Sequence, residues 1–401
     1  YIPADSEYTK VVRSVMAFHE ANPADWRKGY GYVRDNFGYD RYPGACHIIP
    51  NIGVMIVSLL YGEGDFARTL DICNMCGWDT DCNVGNVATI MGVRCGLEGI
   101  PEALRRPIHD ILICSSVIGS LNSMDIPQGA DYIARLAAAV AGWDLPEPWR
   151  EILSRKHTGC HFEYPGSTFG LRIRAISPEQ AAALGSLCGN SQNSAPSGIS
   201  TCGDCQSQAT ADDLRCQNQE PPAADLRNTD SDAHTGTRAL LAAVPQAGGI
   251  GHMLYKKTYY IPEDFDDNRY QPSFSPTLYP GQRFYGFLKL APGSGDCTAL
   301  AYAHNASTGK IITSGEEVRL TKAEWKEVSL TIPFLKNGLL DEAGFILKGD
   351  AEQKDKPLDI LLDDFYQEGA ADYTIDLAES AMEVWSFSQR EIRQFTRLKG
   401  L

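Results

Sequence analysis

The chain has 401 residues, of which 51 are acidic and 36 are basic, and its net charge is −15. A hydrophobic fraction of 43% is ordinary for a globular protein, and the length predicts two or three domains. The acidic balance argues against a nucleic-acid surface, and no apolar run reaches the roughly 18 residues of a membrane span. We therefore expect neither nucleic acid nor a membrane as a partner.

The two ends and the cysteines say little about the compartment. The chain begins with Tyr1 and stops within a patterned segment, which predicts an internal fragment of a longer protein. The twelve cysteines form no recognised framework, so a secreted and a cytoplasmic location both stay open. Six of them lie in apolar helical text and are predicted to be small buried hydrophobes: Cys46, Cys73, Cys76, Cys82, Cys95 and Cys114.

The first third of the chain is predicted to be helical. Residues 6–20 repeat apolar positions at helical spacing, with Ser6 as a candidate N-cap. Residues 48–61 are almost all apolar and are predicted to form a buried central helix. Further helical patterns, joined by short loops that favour a compact α-bundle, cover residues 66–75, 84–95, 101–116 and 126–141.

Residues 76–83, with the sequence CGWDTDCN, place Asp79 and Asp81 at a turn that precedes an apolar helix. Two carboxylates this close repel each other unless a cation lies between them. Mg²⁺ and Ca²⁺ take oxygen ligands, and the Thr80 hydroxyl and the Asn83 amide are further oxygen donors. The alternative is an ordinary N-cap with a helix-dipole partner, and the spacing alone leaves both interpretations open.

The sequence on both sides of this motif resembles that of a known family. The motif at 76–83, a small-residue helix after it, the sequence GLEGIP at 96–101, and the upstream segments 47–51 and 61–66 resemble the ADP-ribosylglycohydrolase family. The resemblance covers about residues 1–145. It implies an all-α domain that holds two Mg²⁺ ions in a cleft and cleaves a glycosidic bond at an anomeric carbon.

Residue by residue, the resemblance assigns Asp79 and Asp81 as catalytic and metal-binding carboxylates. Cys82 falls where the family commonly has a Thr or Ser ligand, although a thiol is a poor partner for Mg²⁺. The family's other ligands, a Thr-Asp-Asp run, do not occur in the chain. The segment is therefore predicted to be the C-terminal part of the domain, with half of the site. Substrate binding is assigned to His47, Asn51, Trp78 and Asn83.

His47 has a second interpretation. A histidine that directly precedes an apolar helix is often a satisfied partner of the backbone. The resemblance places it on the cleft wall, and we assign it to substrate binding and not to proton transfer.

After Trp143 the text changes, and residues 146–157 are predicted to be a linker. Residues 158–371 are predicted to form a β-sandwich jelly roll with a polar, weakly ordered insert at about 188–228. Cys202 and Cys205 in this insert are either incidental or part of a zinc knuckle whose spacing matches no established pattern. Residues 372–401 are predicted to be a linker and the start of a further domain.

The strands of the predicted sandwich alternate apolar and polar residues and are separated by Pro/Gly turns. Together with the segment HTGTRAL at 234–240, they resemble the galactose-binding-like jelly rolls of carbohydrate-binding modules. That resemblance implies a structural Ca²⁺ at Asp363 or Asp364, where solvated strand-end carboxylates are the alternative. Tyr259, Tyr260, Tyr270 and Tyr285 either stack on sugar rings or pack in the core. The predicted strands are 239–244, 252–260, 283–290, 298–302, 325–332, 342–347 and 358–365.

These observations predict a Mg²⁺-dependent glycohydrolase that cleaves a ribosyl-type or other glycosidic bond and carries a sugar-binding-like module. Its expected partners are a small-molecule glycoside, an ADP-ribosyl group or a glycan. One alternative is a glycosidase that acts on a glycan and not on ADP-ribosyl protein. Another is a catalytically degenerate carbohydrate-binding protein, and a third is a fragment inactive without the rest of its parent.

Overall fold

The computed structural model describes residues 2–44, 46–114, 118–154, 159–176, 224–244, 251–260, 274–335, 338–353, 356–372, 382–386 and 391–395. The chain divides into two compact units, Tyr1–Ile108 and His109–Leu401. Among the described helices, none has the length and apolar character needed to cross a bilayer.

The first unit is a helical bundle built around one buried helix, as predicted. Its helices are α1 (Glu7–Ala21), α2 (Trp26–Phe37), α3 (Ile48–Tyr61), α4 (Phe66–Met75), α5 (Thr80–Cys95) and α6 (Glu102–Arg105). Helix α3 contacts α1, α2, α4 and α5, and ten of its residues are buried. Because α3 is apolar on all sides, it is stable only when neighbouring helices surround it.

Side-chain caps define where several of these helices begin. Ser6 caps α1 by accepting a hydrogen bond from the Thr9 amide, and Asp25 caps α2 through Arg27. Asp65 caps α4 in the same way. The sequence prediction of Ser6 as an N-cap is thus confirmed.

Two helix predictions need correction. Helix α5 begins at Thr80 and not at residue 84, so the motif forms its first turn. The pattern at 101–116 does not continue as one helix, because α6 ends at Arg105 and a short 3₁₀ turn containing Pro107 follows. Proline interrupts an α-helix by removing an amide donor and by clashing with the preceding turn. Ile111–Ile113 is instead a strand.

The six cysteines predicted to be buried divide into three groups. Cys73 and Cys76 are buried in the first unit, as expected. Cys95 and Cys114 are half-buried, whereas Cys46 and Cys82 are exposed. The prediction was wrong for Cys46, which lies in the turn before α3, and for Cys82, which lies on the exposed side of the first turn of α5.

The second unit combines a short helical segment with sixteen strands among its described residues. Strands β1 (Ile111–Ile113) and β2 (Ser123–Asp125) form a hairpin before α7 (Ile126–Ala141) and α8 (Trp149–Ser154). The remaining strands are β3 (Gly159–Cys160), β4 (Arg172–Ala175), β5 (Asp225–Thr229), β6 (Ala239–Val244), β7 (Gly251–Lys257), β8 (Arg283–Leu290), β9 (Cys297–Asn305), β10 (Lys310–Thr313), β11 (Val318–Arg319), β12 (Lys326–Thr331), β13 (Leu340–Gly349), β14 (Leu358–Glu368), β15 (Met382–Ser386) and β16 (Glu391–Phe395).

Two antiparallel sheets form the predicted sandwich. One has the order β10-β9-β13-β7-β4 with β11 beside β9, and the other has the order β12-β8-β14-β6-β5 with β3 beside β14. A single apolar core takes residues from both sheets, including Leu254 and Phe345 from the first and Leu288 and Leu362 from the second. All seven predicted strands are present within a few residues of their expected bounds, so the β-sandwich fold is confirmed.

The segments that flank the sandwich differ in detail from the prediction. Trp149–Ser154, inside the predicted linker, forms α8, and Asp225–Thr229, at the end of the predicted insert, is an edge strand paired with β6. Residues 188–223, with Cys202 and Cys205, and Tyr270 lie outside the described residues. In the C-terminal part, β15 and β16 form an antiparallel hairpin. The predicted domain boundaries themselves stay predictions.

Candidate metal site in the first unit

Asp79 occupies the turn between α4 and α5 in an unusual backbone conformation. Its φ of 43° and ψ of 53° lie in the left-handed region, which a residue other than glycine adopts at a free-energy cost of about 1–3 kcal/mol. Asp79 is the N-cap residue of α5 by position, yet its side chain makes no cap hydrogen bond. The ordinary capping interpretation therefore does not describe this carboxylate, which is turned away from the amides of its own helix.

The Asp79 carboxylate is held instead by a side chain from α3. The Asn51 Nδ2 atom donates a hydrogen bond of 2.5 Å to Asp79 Oδ2, and the Tyr39 hydroxyl donates to Asn51 Oδ1. Asn51 is buried, and both ends of its amide are used. A neutral Tyr39–Asn51 pair thus fixes the orientation of Asp79 without neutralising its charge.

Asp81 and Cys82 complete a compact group of possible ligands with Asp79. One ligand atom from each of the three lies within 4.8 Å of the others. Asp79 is half-buried, and the other two are exposed. The two carboxylates fit a hard divalent cation such as Mg²⁺, whereas the thiol does not.

A second thiol, from Cys46, lies at the same carboxylate. A hydrogen bond to Asp79 raises the pKa of Cys82, and desolvation, followed by the charge of Asp79, raises the pKa of Cys46. Both thiols are therefore held protonated, whereas metals bind the thiolate. Without a metal, the Cys82 thiol is thus a hydrogen-bond donor to Asp79, and its role as a metal ligand stays a prediction.

The other predicted site residues lie around this cluster in the first unit. His47 is the N-cap of α3, and its Nδ1 atom accepts a hydrogen bond of 3.2 Å from the Ile49 amide. Trp78 packs against the rings of Tyr39 and Tyr30, at centroid distances of 4.9 and 5.3 Å. The substrate-binding roles of His47 and Trp78 stay predictions.

Asn83 is almost fully buried in the first turn of α5. Its Nδ2 atom donates to the Trp78 carbonyl at 2.8 Å, and its Oδ1 atom has no hydrogen-bond partner among the described residues. Because an unpaired buried acceptor is unfavourable, this oxygen is suited to a donor or a cation beyond those of the described residues. Its predicted role as an oxygen donor is chemically reasonable, and its role in substrate binding stays a prediction.

Sequence reasoning missed Tyr39 and Cys46. Both lie in the loop between α2 and α3, 40 and 33 positions from Asp79 along the chain. Tyr39 follows Gly38 in a polar loop, and no periodic pattern marks it. Burial, and then the charge of Asp79, raises the pKa of the Tyr39 phenol, so it stays a hydrogen-bond donor to Asn51.

The second unit holds the carboxylates predicted to bind Ca²⁺. The Oδ2 atom of Asp363 accepts from the amides of His234 and Thr235, and Asp364 Oδ2 accepts from the Thr235 hydroxyl and lies 2.8 Å from His234 Nδ1. The Asp364 amide donates to Asp363 Oδ1 at 2.7 Å, so protein donors occupy both oxygens of Asp363 as well as Oδ2 of Asp364, and they anchor the 234–235 turn to β14. A Ca²⁺ ion at either residue stays a prediction.

Comparison with protein families supports the resemblance for the helical part. Residues 1–143 match the model of the ADP-ribosylglycohydrolase family. Among curated proteins, nothing matches the chain.

Several solved structures resemble part of the chain, and their descriptions name carbohydrate-binding modules or a xylan-binding domain. One, described as a carbohydrate-binding module of the β-sandwich superfamily with promiscuous specificity, is 13% identical with a TM-score of 0.27, over 37% of this chain and 54% of that chain. The present chain thus spans about half of its length.

Two others come from Xyn10C of Paenibacillus barcinonensis. The CBM22-1 xylan-binding domain is 15% identical with a TM-score of 0.24, over 36% of this chain and 81% of that chain. The CBM22-1–CBM22-2 tandem domain is 12% identical with a TM-score of 0.30, over 56% of this chain and 49% of that chain. Residues 1–143 are thus similar to the ADP-ribosylglycohydrolase family, as the sequence predicted, and an antiparallel β-sandwich follows them.

Proposed function

We propose that the chain contributes the C-terminal part of a Mg²⁺-dependent glycosyl hydrolase domain, with Asp79 and Asp81 as the residues that hold the cation. The observation that carries this proposal is the Asp79 carboxylate. It is oriented by Asn51 in a strained backbone conformation, and it makes no cap bond to its own helix. Strain of this kind is maintained where surrounding structure fixes it, often at functional sites.

The role of each residue follows from its contacts. Asp79 and Asp81 supply the charged oxygen ligands, and Asn51 and Tyr39 set the angle at which Asp79 presents its carboxylate. Trp78 offers an aromatic face beside this cluster for a sugar ring. When bound, a divalent cation supplies Lewis acidity and a template for substrate hydroxyls, and the transition state of glycosyl transfer is oxocarbenium-like.

Two observations bear on the identity of the substrate. The similarity of residues 1–143 to ADP-ribosylglycohydrolases supports a ribosyl-type bond, and the appended sandwich supports a glycan or another glycoside. We propose a sugar-binding role for the sandwich in either case. The second candidate function is a catalytically degenerate carbohydrate-binding protein, and the thiol of Cys82 beside the two carboxylates favours it, because Mg²⁺ binds thiols poorly.

Cation binding is tested first with Mn²⁺ as a paramagnetic probe of the Mg²⁺ site, read out by water-proton relaxation of the full chain. We expect Mn²⁺ to bind, Mg²⁺ to displace it, and Asp79→Asn and Asp81→Asn each to abolish the effect. Asp71→Asn, which removes an exposed carboxylate on α4, is the matched control and should behave as the unmodified chain. Binding that survives both site variants would contradict the assignment of these residues.

Turnover separates the two candidate functions. ADP-ribosyl-arginine and nitrophenyl glycosides are incubated with the chain in Mg²⁺ or in chelator, and released sugar is measured. Hydrolysis that needs Mg²⁺ and is lost in Asp79→Asn supports the enzyme. Saccharide binding without hydrolysis of any of these compounds supports the degenerate binding protein instead.

A further inference from the structure

A cavity of about 400 Å³ lies within the second unit, and no function described above uses it. On one side it is lined by residues of β2 and α7, among them Ser123 and Tyr132, and on the other by strands of the sandwich, among them Lys256 and Tyr366. All its lining residues belong to His109–Leu401. Its volume falls within the range of about 300–1,000 Å³ that is typical of small-molecule sites.

Two carboxylates of the segment before the sandwich fix one wall of this cavity. Asp110 Oδ2 accepts a hydrogen bond of 2.6 Å from the Ser167 hydroxyl, and Asp125 forms an ion pair with Lys256 of β7. Asp125 also caps α7 by accepting from the Gln128 amide at 2.8 Å. The helix that forms the wall is thus held at its first turn by a buried ion pair.

A third carboxylate, Asp131, anchors α7 to the segment that contains His161 and Tyr164. Its Oδ1 atom accepts from the Tyr164 hydroxyl at 2.7 Å, and its Oδ2 atom lies 3.1 Å from His161 Nε2. His161 Nδ1 accepts from the Glu163 amide, so Nε2 carries the proton that bonds to Asp131. Both ring nitrogens are occupied, and this group supports the wall and is not a free acid or base.

The charged groups of the cavity balance one another. Lys256 is paired with Asp125, and Lys257 lies 3.3 Å from Asp341. The remaining charged lining groups are Asp131 and Arg135, four residues apart on α7 and of opposite sign. The cavity therefore offers no net charge to attract an anion or a cation.

The available polar groups are hydroxyls and amides. Ser123 lines the cavity, and its Oγ atom is buried without a hydrogen-bond partner among the described residues. Leaving a buried hydroxyl unpaired is unfavourable, and a ligand hydroxyl would relieve this. Tyr132 adds an exposed aromatic ring, and Gln128 and Thr277 also line the cavity, although the Thr277 hydroxyl is already 3.2 Å from the Thr258 carbonyl.

We propose that this cavity binds a neutral, hydroxyl-rich ligand of one or two sugar rings. Such a ligand matches a wall without net charge that carries hydroxyl and amide groups and an aromatic ring. The inference rests on the sugar-binding role proposed for the second unit and gives that role a location. It is independent of the metal site, because no lining residue belongs to the first unit.

The test is saturation-transfer NMR on the full chain with neutral methyl glycosides and disaccharides, and with glucuronate as the charged comparison. We expect at least one neutral saccharide to bind. Its affinity should fall about three- to ten-fold in Ser123→Ala, the value of one hydrogen bond, and at least as much in Tyr132→Ala. Ser329→Ala and Phe334→Ala alter a half-buried serine and an exposed ring outside the cavity, and should leave binding unchanged.

The other outcomes each contradict a stated part of the inference. Saccharide binding that is unchanged in both cavity variants overturns the location, while the sugar-binding role of the sandwich survives. Binding of no neutral saccharide overturns both, and leaves the metal site untouched. Glucuronate binding more tightly than its neutral counterpart overturns the argument from charge balance.

Discussion

The carboxylates of the two units meet opposite environments. In the second unit, two buried acidic side chains are paired with cations from the same unit: Asp125 with Lys256, and Glu342 with Arg174 at 2.6 Å. In the first unit, Asp79 and Asp81 lie close together, and the ion pairs described there involve other carboxylates. The partner of Asp79 is instead the neutral side-chain amide of Asn51, which donates a hydrogen bond to it.

Acidic groups that are paired with a cation of the same chain stabilise the fold. Acidic groups that lack such a partner are suited to binding a metal ion. Burial disfavours the charge on Lys256, but the Asp125 carboxylate outweighs this effect and raises the pKa of the lysine. The pair is therefore complete within the chain. The Asp79–Asp81 pair becomes electrostatically complete only when a cation is added.

The largest expected effect comes from breaking the ion pair between Asp125 and Lys256. Lys256→Met leaves the Asp125 carboxylate buried without its cation, and the free energy of unfolding should fall by about 3–5 kcal/mol. Urea unfolding followed by circular dichroism measures the change. The double variant Lys256→Met with Asp125→Asn should recover part of it. A single variant that unfolds like the unmodified chain would show that the pair is not tightly coupled.

Asp79→Asn, unlike Lys256→Met, should not lower the free energy of unfolding, but it should abolish the stabilisation by Mg²⁺. Asparagine adopts the left-handed region comparatively well, and the change removes one of two like charges. Without divalent cations, we expect the free energy of unfolding to be unchanged or to rise by up to about 1 kcal/mol. The unmodified chain should gain about 2.7 kcal/mol at a Mg²⁺ concentration 100 times its dissociation constant, and the variant should gain nothing.

The control for this comparison is Asp71→Asn, which should keep the full response to Mg²⁺. Thermal unfolding with and without Mg²⁺ reports both quantities. A large loss of stability in Asp79→Asn without metal would mean that Asp79 is structural, like the carboxylates of the second unit.

Cys82→Ser tests whether the thiol beside Asp79 and Asp81 takes part in cation binding. Replacing the thiol by a hydroxyl supplies a hard oxygen donor, so the affinity for Mg²⁺ relative to Zn²⁺ should rise, by about ten-fold. Competition of each ion with Mn²⁺ measures the ratio. Cys95→Ser, farther along α5, should not change it. An unchanged ratio in Cys82→Ser would place the thiol outside the coordination sphere.

The smallest expected effect concerns a half-exposed pair of the second unit. The hydrogen bond to Asp341 raises the pKa of His304, so the protonated ring stabilises the fold below its ordinary pKa of about 6.5. This stabilisation is lost as the pH rises through the folded-state pKa. His304→Gln should therefore lose roughly 0.5–1 kcal/mol near pH 5.5 and less near pH 8.5. Equal losses at both pH values would contradict a charged pair.

Local patterns predicted the elements of both units well. The sequence RFYGFLKL of β8 alternates, and its residues alternate between half-buried and buried in the sheet. Leu358–Glu368 is instead buried almost throughout, so both faces of β14 are covered by other parts of the chain. The order of strands within the sheets was not predicted, since it depends on contacts between residues far apart in sequence.

The candidate site was predicted only in part, for the same reason. The spacing of Asp79 and Asp81 before an apolar helix is a local signal, and it indicated the correct turn. The contact of Asp79 with Asn51 crosses 28 positions, and Tyr39 reaches the site only because its loop lies against α3. Side chains with no periodic pattern, such as Tyr39 and Cys46, are invisible to such reasoning.

The sequence by itself determined the helical first part, the alternating strands of the sandwich and the acidic turn at residues 76–83, because each depends on side chains within one or two turns of chain. The tertiary structure decided that Asp79 faces Asn51 and not its own helix. It also decided that Asp125 and Lys256, 131 positions apart, form the buried pair beside the cavity. Long-range packing sets the orientation of a side chain and the partner of a buried charge, and no local pattern encodes either.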